Sequence, residues 1–248
     1  MLTEERQNLI LQLLKEKDIV KVQEIMQLTN ASESTIRRDL TQLEEKKFLK
    51  RVHGGAGRLQ GKLNELSVSE KASKNLHQKE RIAKFAASLI EEGDSIYLDA
   101  GTTTLSMIPF LPQKDIVVVT NGLAHGQQLL EAGYKTYLLG GFIKSKTNAL
   151  IGRGAVNSLT DYRFDKAFMG ANGVHGEYGY TTPDPEEAEV KKKAMDMARE
   201  SYMLVDHTKF GEISFSKIED LKNAVIITDE KLEDQHYTKH TTVKVVTS

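Results

Sequence analysis

Two groups of side chains in this 248-residue chain have types and spacings suited to chemistry. The first runs from Ser32 through Ser34, Thr35, Arg37 and Arg38 to Lys50, Arg51 and His53. Hydroxyls and guanidinium groups at helical spacing, followed at once by a basic run, are donors matched to base edges and phosphate oxygens. The second group is dispersed: Asp99-Ala-Gly101-Thr102-Thr103-Thr104, Thr120-Asn121, Gly140-Gly141, Gly170-Ala-Asn172-Gly173 and Asp206-His-Thr-Lys209. Small, hydroxylated, amide and charged residues of this kind suit an anionic, hydroxyl-rich ligand. Within Asp99 to Thr104, Gly101 permits close backbone approach, and the free amides of a helix start beside three threonine hydroxyls favour a phosphate oxygen. The turn lacks the lysine of a P-loop and the three glycines of a dinucleotide-binding turn, and its bland reading is a capped helix start.

The first group needs a helix to present it. Ile36, Leu40 and Leu43 recur at i, i+4 and i+7, so one face packs while Thr35, Arg37, Arg38, Thr41 and Gln42 stay off the core. Ser32 is placed to cap this helix, which then starts at Glu33, without the glutamate three residues on that completes a capping box. Thr3 to Lys17 and Val22 to Thr29 carry apolar residues at helical spacing. The tight Asn30-Ala31 connection then makes a helix-turn-helix pair whose second member lies in the major groove. After it, Lys50-Arg51-Val52-His53 and Gly54-Gly55 read as a strand and turn, the start of a wing. From Ser32 to Arg58 seven Lys or Arg stand against four Asp or Glu in a chain of net charge -1, so the basic footprint is local.

The Ser34-Thr-Ile-Arg-Arg-Asp-Leu40 helix and the Leu49-Lys-Arg-Val-His-Gly-Gly-Ala56 run resemble the winged helix-turn-helix of the DeoR family of bacterial repressors. The family usually has glycine where this chain has Lys47. The resemblance implies double-stranded operator DNA as a partner. Because one winged helix covers only a half-site, a homodimer or homotetramer is expected.

The second group needs a sheet. Apolar runs at Ser95 to Asp99, Ile116 to Thr120, Thr136 to Leu139, Lys166 to Met169, Tyr202 to Val205, Ala224 to Thr228 and Val243 to Val246 alternate with helical patterns at Ile82 to Ile90, Leu105 to Leu111 and Leu123 to Ala132. This predicts an α/β architecture, a mainly parallel sheet covered on both faces, with ligands at the carboxyl ends of its strands. The expected organisation is a DNA-binding domain over 1–57, a linker over 58–77 and a sensor domain over 78–248.

From about Lys79 to Asp229 the chain resembles the sensor domain of DeoR-family repressors, itself similar to ribose-5-phosphate isomerase. That resemblance implies a phosphate held by Gly101, Thr102, Thr103 and Thr104, with Lys209 contributing. The isomerase's acidic Asp-Gly-Ala-Asp turn falls on Met169-Gly-Ala-Asn172. Met169 cannot ionise and Asn172 cannot take a proton, so a receptor without catalytic residues is expected. Glu187, following Thr181-Thr182-Pro183, joins the ligand set. Glu186, Glu189 and Lys191 to Lys193 read as a solvated helix, and Lys144 and Lys146 as surface lysines able to reach a second phosphate. Asn30 to Asp39, Tyr97 to Leu105 and Gly179 to Ala188 resemble the fructose-operon members of the family in Gram-positive bacteria. This implies repression of a sugar operon with fructose 1-phosphate as effector, ahead of fructose 1,6-bisphosphate and tagatose 6-phosphate. The competing readings are an isomerase- or deaminase-like enzyme with a DNA-binding appendage, and a nucleotide-binding regulator.

Composition bounds the setting. The chain has 39% hydrophobic and 28% charged residues, no cysteine and no tryptophan. It has neither an apolar run of about twenty residues nor a charged-then-apolar leader, so a cytoplasmic, disulfide-free protein without membrane attachment is expected. Of seven histidines only His236 and His240 share helical i, i+4 spacing, with no third ligand near, and no metal is expected.

Overall fold

A computed structural model describes residues 2–17, 19–46, 48–52, 54–58, 66–112, 115–231 and 236–246. The chain divides into two compact units, Met1–Gly61 and Lys62–Ser248.

The first unit runs α1 (Thr3–Glu16), β1 (Ile19–Lys21), α2 (Val22–Thr29), α3 (Glu33–Glu45), β2 (Leu49–Val52) and β3 (Gly55–Arg58). Its helices form where apolar spacing demands, and Ile10, Leu14, Ile25, Ile36, Leu40 and Leu43 share one core with Leu49 and Ala56. Asn30 closes α2 in the left-handed conformation, φ 53°, which an asparagine tolerates and which turns the chain sharply into α3. Ser32 then caps α3, accepting a hydrogen bond from the Thr35 amide at 3.3 Å. A buried ion pair between Arg6 of α1 and Asp39 of α3 ties the two helices. The wing is an antiparallel β2/β3 hairpin with Val52 opposite Gly55, and Gly54, at φ 75°, supplies the left-handed turn residue. Residues 19–21, which sequence periodicity did not single out, add a third strand by pairing with β3. Lys47 and His53 lie outside the described residues.

The second unit contains α4 (Val68–Ala72), α5 (Leu76–Ala87), β4 (Ser95–Leu98), α6 (Thr102–Leu105), β5 (Val117–Thr120), α7 (Leu123–Glu131), β6 (Lys135–Leu138), β7 (Phe142–Lys144), β8 (Ala149–Ile151) and α8 (Arg153–Leu159). It continues through β9 (Phe164–Met169), β10 (Gly173–His175), β11 (Gly179–Thr182), α9 (Pro185–Asp196), β12 (Ala198–Leu204), β13 (Ser216–Glu219), β14 (Val225–Thr228), α10 (His236–His240) and β15 (Val243–Val245). The seven apolar runs all enter one parallel sheet of order β15-β14-β12-β9-β4-β5-β6. One face is covered around Ile82, Ala86, Met107 and Leu129 and the other around Ala155, Val190, Ala194 and Tyr180, which is why the central strands are largely apolar, whereas the edge strand β6 is mostly exposed.

Three features depart from the sequence expectation. The helix expected over 105–111 is instead the end of α6 followed by a 3-10 turn, Ile108–Phe110, because Pro109 has no N–H and disfavours helical backbone at Ile108. A hairpin, β7/β8, and a small antiparallel sheet, β10-β11-β13, flank the main sheet. Inside the stretch read as a connection, α4 forms with a capping box in which Ser67 and Glu70 each accept the other's backbone amide.

The order of the strands sets the site. From β4 the chain builds outward through β5 to β6, then crosses back to β9 on the opposite side of β4 and builds outward again. The loops after β4 and β9 therefore diverge, leaving a crevice at their carboxyl ends.

Candidate functional site

In the first unit, Ser32, Ser34, Arg37 and Arg38 are exposed and Thr35 is half-buried. The hydroxyls gather at the cap: Ser32 Oγ lies 3.0 Å from Ser34 Oγ and 2.9 Å from Thr35 Oγ1. Arg37 is held by Glu33 one turn earlier, through Nε at 2.8 Å and Nη2 at 2.6 Å to the same carboxylate oxygen. Lys50 is exposed on the wing. Arg51 folds onto α3 instead, with Nη1 donating to Thr41 Oγ1 at 3.0 Å and to the Arg37 carbonyl at 3.4 Å, and the Arg51 amide donates to Glu44 at 2.7 Å. The result is an exposed, cation-bearing helix face braced against a wing.

In the second unit the crevice is lined from both sides. Asp99, buried at the end of β4, receives the Gly170 amide from the loop after β9 at 3.3 Å and forms an ion pair with Lys191 of α9. The loop after Asp99 is fixed from beneath. Thr104 Oγ1, fully buried, donates to the Asp99 carbonyl at 2.5 Å, lies 2.8 Å from the Gly101 carbonyl and accepts from the Gly101 amide at 3.1 Å. His125 Nε2 lies 3.1 Å from the same hydroxyl, and burial pushes its pKa down to about 4. Gly122 is needed there, since a Cβ at that position would collide with the His125 ring. Asn121 clamps the loop further, accepting the Ala100 amide at 2.8 Å and donating to the Leu150 carbonyl at 3.2 Å. Thr120 Oγ1 donates to the Leu98 carbonyl at 2.6 Å. Thr104, Thr120 and Asn121 are thus engaged in holding the loop, while Thr102 is half-buried and Thr103 buried along α6.

The start of α9 carries a second polar group. Glu187, buried, accepts from Thr147 Oγ1 at 2.7 Å, Lys144 Nζ at 3.1 Å and Thr182 Oγ1 at 3.4 Å. Thr182 also reaches the Asn172 side chain at 3.2 Å, and Lys144 pairs with Asp184 at 2.8 Å. Burial raises the Asp184 pKa, but the Lys144 hydrogen bond and the Glu186 amide outweigh it and hold the carboxyl below its ordinary value. Lys144, read from the sequence as a surface side chain, is an ion-paired member of this cluster. Gly140 and Gly141 lie beside Ser158 and Ala155 of α8, in the turn into β7.

A third group sits after β12. Asp206 accepts from Asn75 Nδ2 at 3.0 Å and the Thr208 amide at 3.0 Å. Lys79 of α5 is buried, donates to the Lys71 carbonyl, and has its pKa pushed down to about 8, chiefly by burial, with Asp206 opposing and Lys209 and Lys71 adding to the fall. Lys191, read from the sequence as part of a solvated helix, is buried against Asp99, and Lys79, His125 and Thr147 were not singled out by sequence reasoning. The signal for Lys79, His125 and Lys191 is a polar residue at a core-facing helix position, legible only once the helix faces are known, whereas Thr147 lies in the turn between β7 and β8 and carries no such signal.

Among the described residues no group of three or more His, Cys, Asp or Glu is placed to hold a metal ion, and no helix is long and apolar enough to cross a membrane.

A helix-turn-helix head with a wing and a parallel sheet with a polar crevice define a two-part regulator. Residues 6–61 match the DeoR-like helix-turn-helix domain and residues 74–230 the DeoR C terminal sensor domain, and the chain belongs to the DeoR family of transcriptional regulators. It is similar to the uncharacterized HTH-type transcriptional regulator FruR of Bacillus subtilis (strain 168), 55% identical over 99% of each chain. It is also similar to the lactose phosphotransferase system repressor of Staphylococcus aureus (strain NCTC 8325 / PS 47), 34% identical over 98% of each chain. Among solved structures, ribose 5-phosphate isomerase A of Methanocaldococcus jannaschii matches 55% of this chain and 55% of its own, at 19% identity and a TM-score of 0.43. eIF2B delta of Chaetomium thermophilum matches 56% of this chain and 50% of its own, at 15% identity and a TM-score of 0.42.

Proposed function

We propose that this protein represses a sugar-utilisation operon, fructose being the leading sugar, and leaves its operator when a phosphorylated sugar, fructose 1-phosphate first among candidates, occupies the crevice. The observation that carries the effector reading is the turn after β12, where Asp206 accepts from Asn75 Nδ2 at 3.0 Å and from the Lys209 amide at its carbonyl, against the first turn of α5 that carries Lys79, with α5 and α4 in turn neighbouring α6 and its Gly101-to-Thr103 turn. A phosphate bound there would meet backbone amides, threonine hydroxyls and two ammonium groups, while Asn172, Glu187 and Asp99 offer partners for sugar hydroxyls.

Operator contact is assigned to Ser32, Ser34, Thr35, Arg37 and Arg38 on α3, and to Lys50 on the wing. Arg51 acts through its grip on α3, and His53 belongs to the same assignment although it lies outside the described residues. Two copies, as a dimer or within a tetramer, present paired heads to the operator. Release follows by linkage, because the sugar phosphate binds the DNA-free arrangement more tightly than the DNA-bound one. The crevice acts as a receptor without turnover, since Met169 and Asn172 cannot serve as acids or bases.

The test is a thermal-shift screen of phosphorylated sugars and nucleotides, repeated with operator release read by fluorescence anisotropy. Fructose 1-phosphate is expected to raise the melting temperature and release the DNA. Stabilisation by nucleotides alone, or isomerised product accumulating in a Lys209-dependent way, would overturn the reading.

A further inference from the structure

We infer that Glu33 is a specificity-determining residue of the operator contact: it fixes the Arg37 guanidinium and sets a carboxylate opposite the bases that α3 reads. This rests on the reading of α3 as the helix that meets DNA.

The geometry singles Glu33 out among the acids of this helix. Asp39 is buried against Arg6 and Glu44 accepts the wing's Arg51 amide, so both serve the packing of the head, while Glu45 is the last residue of α3, at the end away from the Ser32 cap. Glu33 stands at the exposed first position of α3, and its carboxylate takes both Nε and Nη2 of Arg37. Both side chains are about half exposed, at 54% and 52%. An exposed i, i+4 pair of this kind adds little to folding. What it does is orient: with Nε and Nη2 occupied, the remaining guanidinium edge points away from the carboxylate in a fixed plane. The Arg37 backbone is steadied too, since Arg51 Nη1 donates to its carbonyl.

A carboxylate on a face that approaches a polyanion is repelled by every phosphate, whatever the sequence, so it weakens non-specific binding uniformly. The repulsion is offset only where a base supplies a donor, and in the major groove the cytosine N4 amine is the donor a carboxylate accepts from. Arg37 matches guanine O6 and N7. An Arg-and-Glu pair one helical turn apart therefore favours a step carrying a guanine and a neighbouring cytosine amine, and penalises steps that present acceptors to Glu33. The same residue lowers affinity for random DNA and raises discrimination.

The experiment selects duplexes from a random 30-base-pair library with the wild-type protein, with Glu33→Gln and with Arg37→Ala. Affinities for the wild-type winner and for a scrambled duplex are then measured across a salt series. Glu33→Gln is expected to bind the scrambled duplex several-fold more tightly, to lower the ratio of selected to scrambled affinity about tenfold, and to relax base preference at one position in each half-site. Glu33→Gln that keeps the wild-type preference and ratio would overturn the inference. Arg37→Ala that leaves both affinities unchanged would instead remove α3 from the DNA, a failure of the underlying reading. Circular dichroism confirms that each variant is folded, and Glu33→Asp, too short to reach Arg37 in the same way but still charged, is expected to relax the base preference while leaving affinity for the scrambled duplex near that of wild type.

Discussion

Lys191 reaches from the second turn of α9 to Asp99 at the end of β4, a buried ion pair spanning 92 residues of sequence. It joins the loop that opens the crevice to the helix that carries Glu187, so the two sides of the site are held as one piece. Lys191→Met leaves a buried carboxylate with only the Gly170 amide, and is expected to cost about 3–5 kcal/mol. Urea unfolding of Lys191→Met, Asp99→Asn and the double variant checks this, the double variant being less destabilised than the sum of the singles.

His125 makes the second unit acid-sensitive. Its folded pKa of about 4 lies below the ordinary histidine value because the buried ring resists a charge. As pH falls from 6.5 toward 4 the unfolded chain takes up a proton that the folded chain refuses, so stability is lost through that window and levels off below it. The loss is about 3 kcal/mol. Denaturant unfolding of wild type and His125→Gln at pH 4 to 7 should show a shallower acid dependence in the variant, with Thr104 still receiving a donor.

Lys79 behaves in the opposite range. Both states are charged below pH 8, but between pH 8 and the ordinary lysine value the unfolded chain keeps a proton that the folded chain has released. The contribution of this residue to stability therefore rises with pH through that window. Lys79→Met should be more stable than wild type at pH 7 and lose this rise. Calorimetric titration with fructose 1-phosphate should show affinity falling above pH 8 in wild type and weak, less pH-dependent binding in the variant.

On the DNA side, Arg37→Ala should weaken binding to a selected operator by about 1–3 kcal/mol. Lys50→Ala should lower the slope of log affinity against log salt by about 0.9, the signature of one lost phosphate contact. Arg51→Ala is expected to act differently, loosening the wing from α3 by removing the bonds to Thr41 and the Arg37 carbonyl, so that specific affinity falls with little change in salt slope. Anisotropy titrations over a salt series separate the three.

Much of this architecture is legible in the residues themselves. Ile36, Leu40 and Leu43 at helical spacing, the Ser32 cap and the Gly54 turn are local facts, settled within a few bonds, and the structure repeats them. Most of the seven apolar runs declare a sheet covered on both faces, because such strands have little solvent side, although the edge strand β6 is largely exposed. The Asp99-to-Thr104 turn, too, is visible as a small-residue break between strand and helix. What local pattern could not supply is which of its groups face the crevice: Thr104 points inward to His125, twenty-one residues on. Lys191 reads as a surface charge, since a lysine is rarely buried without a partner, and its partner, Asp99, lies far away along the chain. Only the crossovers that set β4 beside β9 and lay α5 and α9 on opposite faces bring them together. The sequence by itself determined the elements, because propensity and periodicity act over a few residues; the tertiary structure decided the pairings, because burial makes a charge accept only the partner that the packing delivers.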